Sequence, residues 1–256
     1  MTKFLKPSLL LVILILSINA NAQNLSTVKK AIVQSFIECI EHCTWEELSE
    51  SVSYPLRRIY PTPDIENKAD FLLRRTELFD DSLTNLILSS SVDSNWSEVG
   101  WRGIMLNHGA LWLDEEGKLI AVNYETELEK QQRMALIELD RKELPTSLQV
   151  FESTVLQMKT EKFLLRIDEM SDGSYRYAAW LVKTKTDGGE PDEMLENGEL
   201  NFDGSGGNHS YTFKSEEYTI VCSIIVLGKN TSPPAELLIY RDEQLVRSYP
   251  ADWLKN

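Results

Sequence analysis

Apolar residues in the first third of the chain recur at helical spacing. Val28, Ile32, Phe36 and Ile40 lie four apart, the interval that lines one face of an α-helix, and Ser26 stands where an N-cap belongs, which predicts a helix to about Cys43. Thr44 followed by Glu47 has the form of a capping box and predicts a second, short helix to about Val52. Tyr54-Pro55 ends it, Leu56 to Tyr60 can form a strand, and the PTPD stretch at 61–64 is a turn. Asn67 with Asp70 then opens a third helix, whose Phe71, Leu72, Leu78, Phe79, Leu83 and Leu86 follow a 3.6-residue stripe.

The period then shortens. Trp101–Leu106, Leu111–Leu113 and Leu119–Tyr124 read as three strands of a meander, separated by Asn107-His108-Gly109 and by Asp114-Glu115-Glu116-Gly117, with Gly109 and Gly117 available for positive φ. Glu125 to Leu144 is polar and helix-prone, with Glu129→Arg133 and Glu138→Lys142 in the favourable i,i+4 order, and Pro145 stops it. Beyond Pro145 the alternation has period two. Candidate strands are 148–151, 163–170, 175–182, 199–203, 210–214, 218–227, 237–240 and 245–249, punctuated by Asp172-Gly173, Gly188-Gly189, Asn197-Gly198 and Pro233-Pro234. Strands this closely spaced predict a sandwich or a small closed barrel and require no helix.

The first residues stand outside this pattern. Lys3 and Lys6 precede an apolar run from Leu9 to Ile18, and Ala20-Asn21-Ala22 supplies a small-x-small cleavage site, so residues 1–22 read as a secretory signal peptide. The run is too short to cross a bilayer, and no second stretch reaches the roughly 20 apolar residues a spanning helix needs. The expected mature chain starts at Gln23 and is periplasmic or secreted. Its plan is an α+β domain over 23–125, a helical connector over 126–145 and a β-rich domain over 146–256.

Export changes the charge balance. Residues 1–22 hold two lysines and no acids, so 24 basic residues face 40 acidic ones in the mature chain, a balance of −16. That excess repels phosphate backbones and excludes nucleic acid as a natural partner, while a small molecule, a glycan or a basic protein stays compatible. The three cysteines cannot all pair within one chain. Cys39 and Cys43 lie one helical turn apart, with Cβ atoms about 5–6 Å from each other where a disulfide wants about 3.8 Å. With His42 they suggest zinc, but no fourth ligand is evident, and all three thiols are expected to be small core residues, a bridge from Cys222 to one of the pair being left open.

The order helix, helix, strand, helix and curved meander resembles the nuclear transport factor 2-like superfamily, the cystatin-like α+β cone. The segments SYPLRRIY (53–60), NKADFLLRRTELF (67–79) and GWRGIMLNHGALWLDEEGKLIAVNY (100–124) carry the likeness over about 100 residues. In the second half, RYAAWLVKT (176–184) and ENGELNFDGSGGNHSYTF (196–213) resemble secreted bacterial β-rich modules. The resemblance implies a pocket between sheet and helices, in a superfamily that holds isomerases, cyclases, dehydratases and proteins that only bind or assemble. Enzymatic members need an Asp or His base and a Tyr or acid donor in the cone, and no complete set aligns here. A cone pocket would be walled by Tyr54, Arg57, Trp101, Met105, Trp112 and Asn123.

Other candidate chemistry is sparse. His108 sits at a hairpin tip and reads as a turn residue. The loop from Asp203 to His209 has three glycines able to present backbone N–H groups, with Ser205, Asn208 and His209 as polar handles, but it lacks the lysine and following helix of a phosphate loop. The acidic pairs at 114–116, 192–193 and 242–243 lack the alternating spacing of a calcium loop. No nucleophile elbow, metalloprotease helix or dinucleotide turn is present. The expected function is therefore that of an exported, non-enzymatic binding protein with no metal and no cofactor. The alternative is an enzyme using the cone pocket for proton transfer on a hydrophobic small molecule, and homodimerisation through the sheet is a further expectation.

Overall fold

A computed structural model describes residues 25–183, 189–204, 206–229 and 231–254. The expected leader and the handle Ser205 lie outside the described residues. The fold is α+β. Two compact units divide the chain, neither of them continuous: one comprises the residues up to Ser53 with Thr84–Ala121, the other Tyr54–Leu83 with Val122 onward.

In the first unit, α1 (Thr27–Glu41) is capped by Ser26, whose Oγ accepts from Lys29 N at 3.3 Å. Its buried face is Val33, Phe36, Ile37 and Ile40. The expected stripe is thus rotated: Ile32 is only half-buried, and Val28, a full turn earlier, is 70% exposed. The helix ends in a Schellman turn, with Thr44 N donating to Cys39 O at 3.0 Å and Cys43 N to Ile40 O at 3.2 Å. Thr44 makes no side-chain cap for α2 (Trp45–Glu50); its hydroxyl donates to Cys39 O instead. Cys43 occupies the left-handed position at φ 54° and is exposed, Cys39 is half-buried, and only Cys222 is fully buried, so the expectation of three core thiols holds for one of them.

A residue with a Cβ is disfavoured in that left-handed conformation, where glycine is not. Cys43→Gly should therefore stabilise the protein by about 0.5–1 kcal/mol, the φ penalty less the added entropy of the unfolded chain. Denaturant titration checks this, and a variant less stable than the wild type would mean that the thiol makes a contact worth more than the strain.

The same unit carries a four-stranded antiparallel sheet in the order β1 (Trp96–Glu98), β2 (Ile104–Leu106), β3 (Leu111–Leu113), β4 (Leu119–Val122). Strand β1 had no sequence counterpart because Ser94-Asn95 and Ser97 dilute its alternation. The expected strand start at Trp101 is corrected: Gly100–Arg102 is a 3-10 turn, bounded by Gly100 at φ 52° and Gly103 at φ 99°. Ile104, Leu106, Leu111, Leu113 and Leu119 are fully buried on one sheet face, and Phe36 of α1 meets Trp96 edge-on with ring centres 5.9 Å apart.

The second unit begins with a bridge between Leu56 and Ile65, in place of the expected strand 56–60. Helix α3 (Lys68–Leu78) is capped by Asn67 and stops at Phe79. The expected single helix to Leu86 is broken there because Asp80 Oδ1 accepts from Leu83 N at 2.8 Å and starts α4 (Asp81–Leu88) afresh. Helix α5 (Glu127–Glu143) begins at Thr126, whose hydroxyl accepts from Glu129 N and donates to Glu77 O. Neither expected i,i+4 pair forms. Glu129 is buried against Arg58, Arg133 holds Glu125, and Glu138 pairs with Arg141. Pairs of this kind contribute only about 0.2–0.5 kcal/mol in an isolated helix, so a buried tertiary partner takes Glu129 and other near neighbours take Arg133 and Glu138.

After α5 come eight strands: β5 (Ser153–Lys159), β6 (Phe163–Glu169), β7 (Tyr175–Leu181), β8 (Glu193–Phe202), β9 (His209–Lys214), β10 (Thr219–Ile224), β11 (Ala235–Arg241) and β12 (Gln244–Trp253). They pair antiparallel in sequence order, and β12 returns to β5, so the sheet closes as an up-and-down barrel. Closure removes the edges on which an open sheet would aggregate. Of the two architectures left open by the alternation, the barrel is the one formed. Residues 148–151 are not a strand; Thr146–Leu148 is a 3-10 turn, and the strand begins at Ser153.

Alternate residues fill the lumen: Leu156, Met158, Leu165, Ile167, Tyr177, Ala179, Tyr211, Phe213, Ile220, Cys222, Ile224, Ala235, Leu237, Tyr249 and Ala251 form one cluster. The outer wall is covered from β5 to β7, where Thr154, Arg166, Asp168, Arg176, Ala178 and Trp180 are also buried. Residues 144–151 lie there, with Leu148 packed on Ala178 and Trp180. Helical structure is thus part of this unit's packing, which alternation alone did not require.

Candidate functional site

Inward positions run in phase along each strand, so the last of them at a barrel end can be named by counting in twos. On β11 the phase Ala235, Leu237, Ile239 continues to Arg241, and on β12 Ala251 and Tyr249 lead back to Arg247. On β10, Ile224, Cys222 and Ile220 lead back to Tyr218, and on β8 Leu195 leads back to Glu193. All four terminal positions lie at one end, that of the turns 160–162, 215–218 and 242–243. There a cavity of about 540 Å³ opens, lined by Glu193, Tyr218, Ile220, Ile239, Arg241, Val246 and Arg247. Its size falls within the range of small-molecule pockets.

The wall is apolar on Ile220, Ile239 and Val246, and polar toward the opening. A bulge at Ile239/Tyr240 leaves Val246 without an opposite residue and turns it to the cavity. Arg241 lies over the Tyr218 ring at 5.6 Å, and Arg247 Nη1 donates to Val246 O at 2.9 Å. Neither guanidinium has a carboxylate partner among the described residues, in a chain with 40 acidic side chains. Below, the lumen is closed by Tyr177 and Phe213, with ring centres 5.5 Å apart.

Burial dominates the titration of the groups here. Glu193 is exposed as a residue, yet desolvation raises its carboxyl above the ordinary value. Burial pushes the Cys222 thiol up to about 12 and the Tyr177 hydroxyl well above its usual range. A thiol held protonated is a poor nucleophile. Because the folded protein favours neutral Glu193, that group's contribution to stability is complete below about pH 4 and declines as pH rises through the raised value. Glu193→Gln should accordingly be more stable than the wild type at pH 7 and equal to it near pH 4. Thermal melts at the two pH values check this, and a variant destabilised at pH 7 would mean that the carboxylate is paired.

The residues singled out from sequence lie elsewhere. Trp101, Met105 and Trp112 belong to the first unit and Tyr54, Arg57 and Asn123 to the second. Trp101 is 69% exposed, with Arg102 over its ring, while Met105 and Trp112 are cross-strand partners, half-buried on the sheet face opposite the core. Arg57 points to solvent beside Asp64 at 2.5 Å, and it is Arg58 that is buried, between Glu129 and the carbonyls of Val122 and Tyr124. Tyr54 is half-buried, Asn123 exposed.

At the opposite barrel end, Asn208 is a loop staple: its Oδ1 accepts from Val226 N and Leu227 N, and its Nδ2 donates to Leu227 O. His209 Nδ1 lies 2.8 Å from Gly207 O, and its ring packs near Phe202 and Tyr211. Both are spent on local geometry. Among the described residues no group of three or more His, Cys, Asp or Glu is gathered to hold a metal ion, and no helix is long and apolar enough to cross a membrane. Compared with protein-family models, with curated proteins and with solved structures, the chain matches none.

Proposed function

We propose that the protein is an exported, non-enzymatic binding protein whose ligand is a small molecule held in the open end of the barrel. The observation that carries this reading is the cavity of about 540 Å³ with an apolar floor and polar rim. A site of that size with few convergent polar groups suits a ligand that buries most of its surface. A small molecule is favoured over a glycan or a basic protein because the wall is concave and the two charged groups that lack carboxylate partners there are cationic. The enzyme alternative placed in the α+β unit gains no support from geometry, since the helix-facing side of that sheet is filled by Ile104, Leu106, Leu111 and Leu113.

A thermal-shift screen of small apolar and amphipathic compounds tests the reading. A ligand present at a hundred times its Kd should stabilise the fold by about 2.7 kcal/mol, and Ile239→Trp, which fills the floor, should abolish the gain. No stabilisation by any compound, or stabilisation that survives Ile239→Trp, would end it. Export is tested separately by N-terminal sequencing of protein from its native source, with Gln23 as the expected first residue.

A further inference from the structure

Arg241 and Arg247 each sit at the last inward position of their strands, on neighbouring strands, and both are exposed at the opening, where their guanidiniums can meet an anion. Elsewhere in this unit the arginines near the core are answered by carboxylates: Arg58 by Glu129, Arg166 by Asp140 and Asp168, Arg176 by Asp168. Arg241 and Arg247 have no such partner among the described residues. Beneath them Ile220, Ile239 and Val246 offer only hydrocarbon, and the packed rings of Tyr177 and Phe213 limit depth.

We propose that the barrel mouth binds a single-chain amphiphile with an anionic head group, its chain on Ile220, Ile239 and Val246 and its head on Arg241 and Arg247. The inference rests on reading the mouth as a ligand site and adds the ligand's chemical class. A bidentate guanidinium matches the paired oxygens of a carboxylate, sulfate or phosphate, and two guanidiniums beside one apolar floor fit one head and one tail. A cationic amphiphile would meet two like charges at the rim.

Isothermal titration of the full mature chain with dodecanoate, dodecyl sulfate, dodecanol and acetate tests this below micellar concentrations. Dodecanoate and dodecyl sulfate should both bind, dodecanol about tenfold or more weakly, and acetate not measurably. The double variant Arg241→Gln/Arg247→Gln should lose about ten- to a hundredfold in affinity for the two anions and leave dodecanol unchanged, as expected for loss of charged hydrogen bonds. Arg241→Lys/Arg247→Lys, which keeps the charge, should recover part of the loss, and a wild-type melting temperature in both variants excludes misfolding. Dodecanol binding as tightly as dodecanoate, with both variants indifferent, would overturn the head-group assignment while leaving the mouth as a ligand site. Binding of the anions undiminished by Ile239→Trp would remove the mouth itself.

Discussion

Asp168→Ala is expected to cost about 3–5 kcal/mol of unfolding free energy, among the largest single losses this chain can show, because it strands two buried guanidiniums. Asp168 Oδ1 accepts from Arg166 Nε and Oδ2 from Arg176 Nη2, each at 2.7 Å, and all three side chains are at most 2% exposed. Arg166 also reaches Asp140 on α5 at 2.6 Å, and the guanidiniums of Arg166 and Arg141 both lie over the Phe151 ring, 4.9 and 4.7 Å from its centre. Arg176 donates to the carbonyls of Leu148 at 2.8 Å and Val150 at 3.0 Å. The cluster fastens α5 and residues 147–151 to the outside of the barrel wall, so losing it should detach them.

Burial pushes the Asp168 carboxyl up, against the pull of Arg166 and Arg176, which means that holding a carboxylate here is itself expensive. The control follows from that cost. Replacing Arg166, Asp168 and Arg176 together by apolar residues of similar volume should be near neutral or stabilising, whereas Asp168→Ala alone is not. Denaturant titration with hydrogen exchange on the barrel amides measures both. A loss below about 1 kcal/mol for Asp168→Ala would show that water, not protein, satisfies the arginines.

Gly103→Ala should destabilise the first unit by about 3 kcal/mol, from two penalties that add. Gly103 has φ 99° and ψ −149°, a region essentially closed to residues with a side chain and worth about 1–3 kcal/mol. A Cβ there would also lie 2.2 Å from Leu113 O, a backbone atom of the neighbouring strand that cannot rotate away. Strand β2 would have to leave β3, and the buried Ile104 and Leu113 are opposite one another in that pair. Hydrogen exchange should show lost protection over 104–113 while the barrel amides keep theirs. Unchanged protection at Ile104–Leu106 would mean that the sheet tolerates the shift and that the φ value is not required.

Local chemistry made some of this legible. Ser26 and Asn67 cap the helices that follow them, and the hairpin glycines at 109 and 117 take the positive φ their turns demand. What was misread shares a cause. Trp101 looked like a strand residue because aromatics favour sheets, yet the glycines on both sides bend the chain into a turn and leave it in water. The third helix looked continuous because its apolar stripe is, while one aspartate hydrogen bond at Asp80 breaks it. Residues 148–151 carry strand-like alternation but form no strand; Leu148 is buried on the outside of the wall and Val150 faces solvent.

The candidate site was hidden for a different reason. Arg241 and Arg247 are ordinary arginines beside an acidic turn when read in line, and Glu193 opens a polar stretch. Each is in phase with its strand's inward residues, a signal that means nothing until one knows that the strands enclose a lumen.

By itself, then, the amino-acid sequence determined where helices and strands alternate, which side of each strand is apolar and how the turns reverse, because caps, glycines and period-two spacing act over a few residues. Only the tertiary structure decided that β12 returns to β5, that Arg166, Asp168 and Arg176 share one buried cluster, and that Glu193, Tyr218, Arg241 and Arg247 ring one opening. The physical reason is that alternation tells each strand which face is inward but is silent about its neighbours. Long-range pairing follows from burying all the inward faces at once, and that is a property of the closed barrel and not of any segment within it.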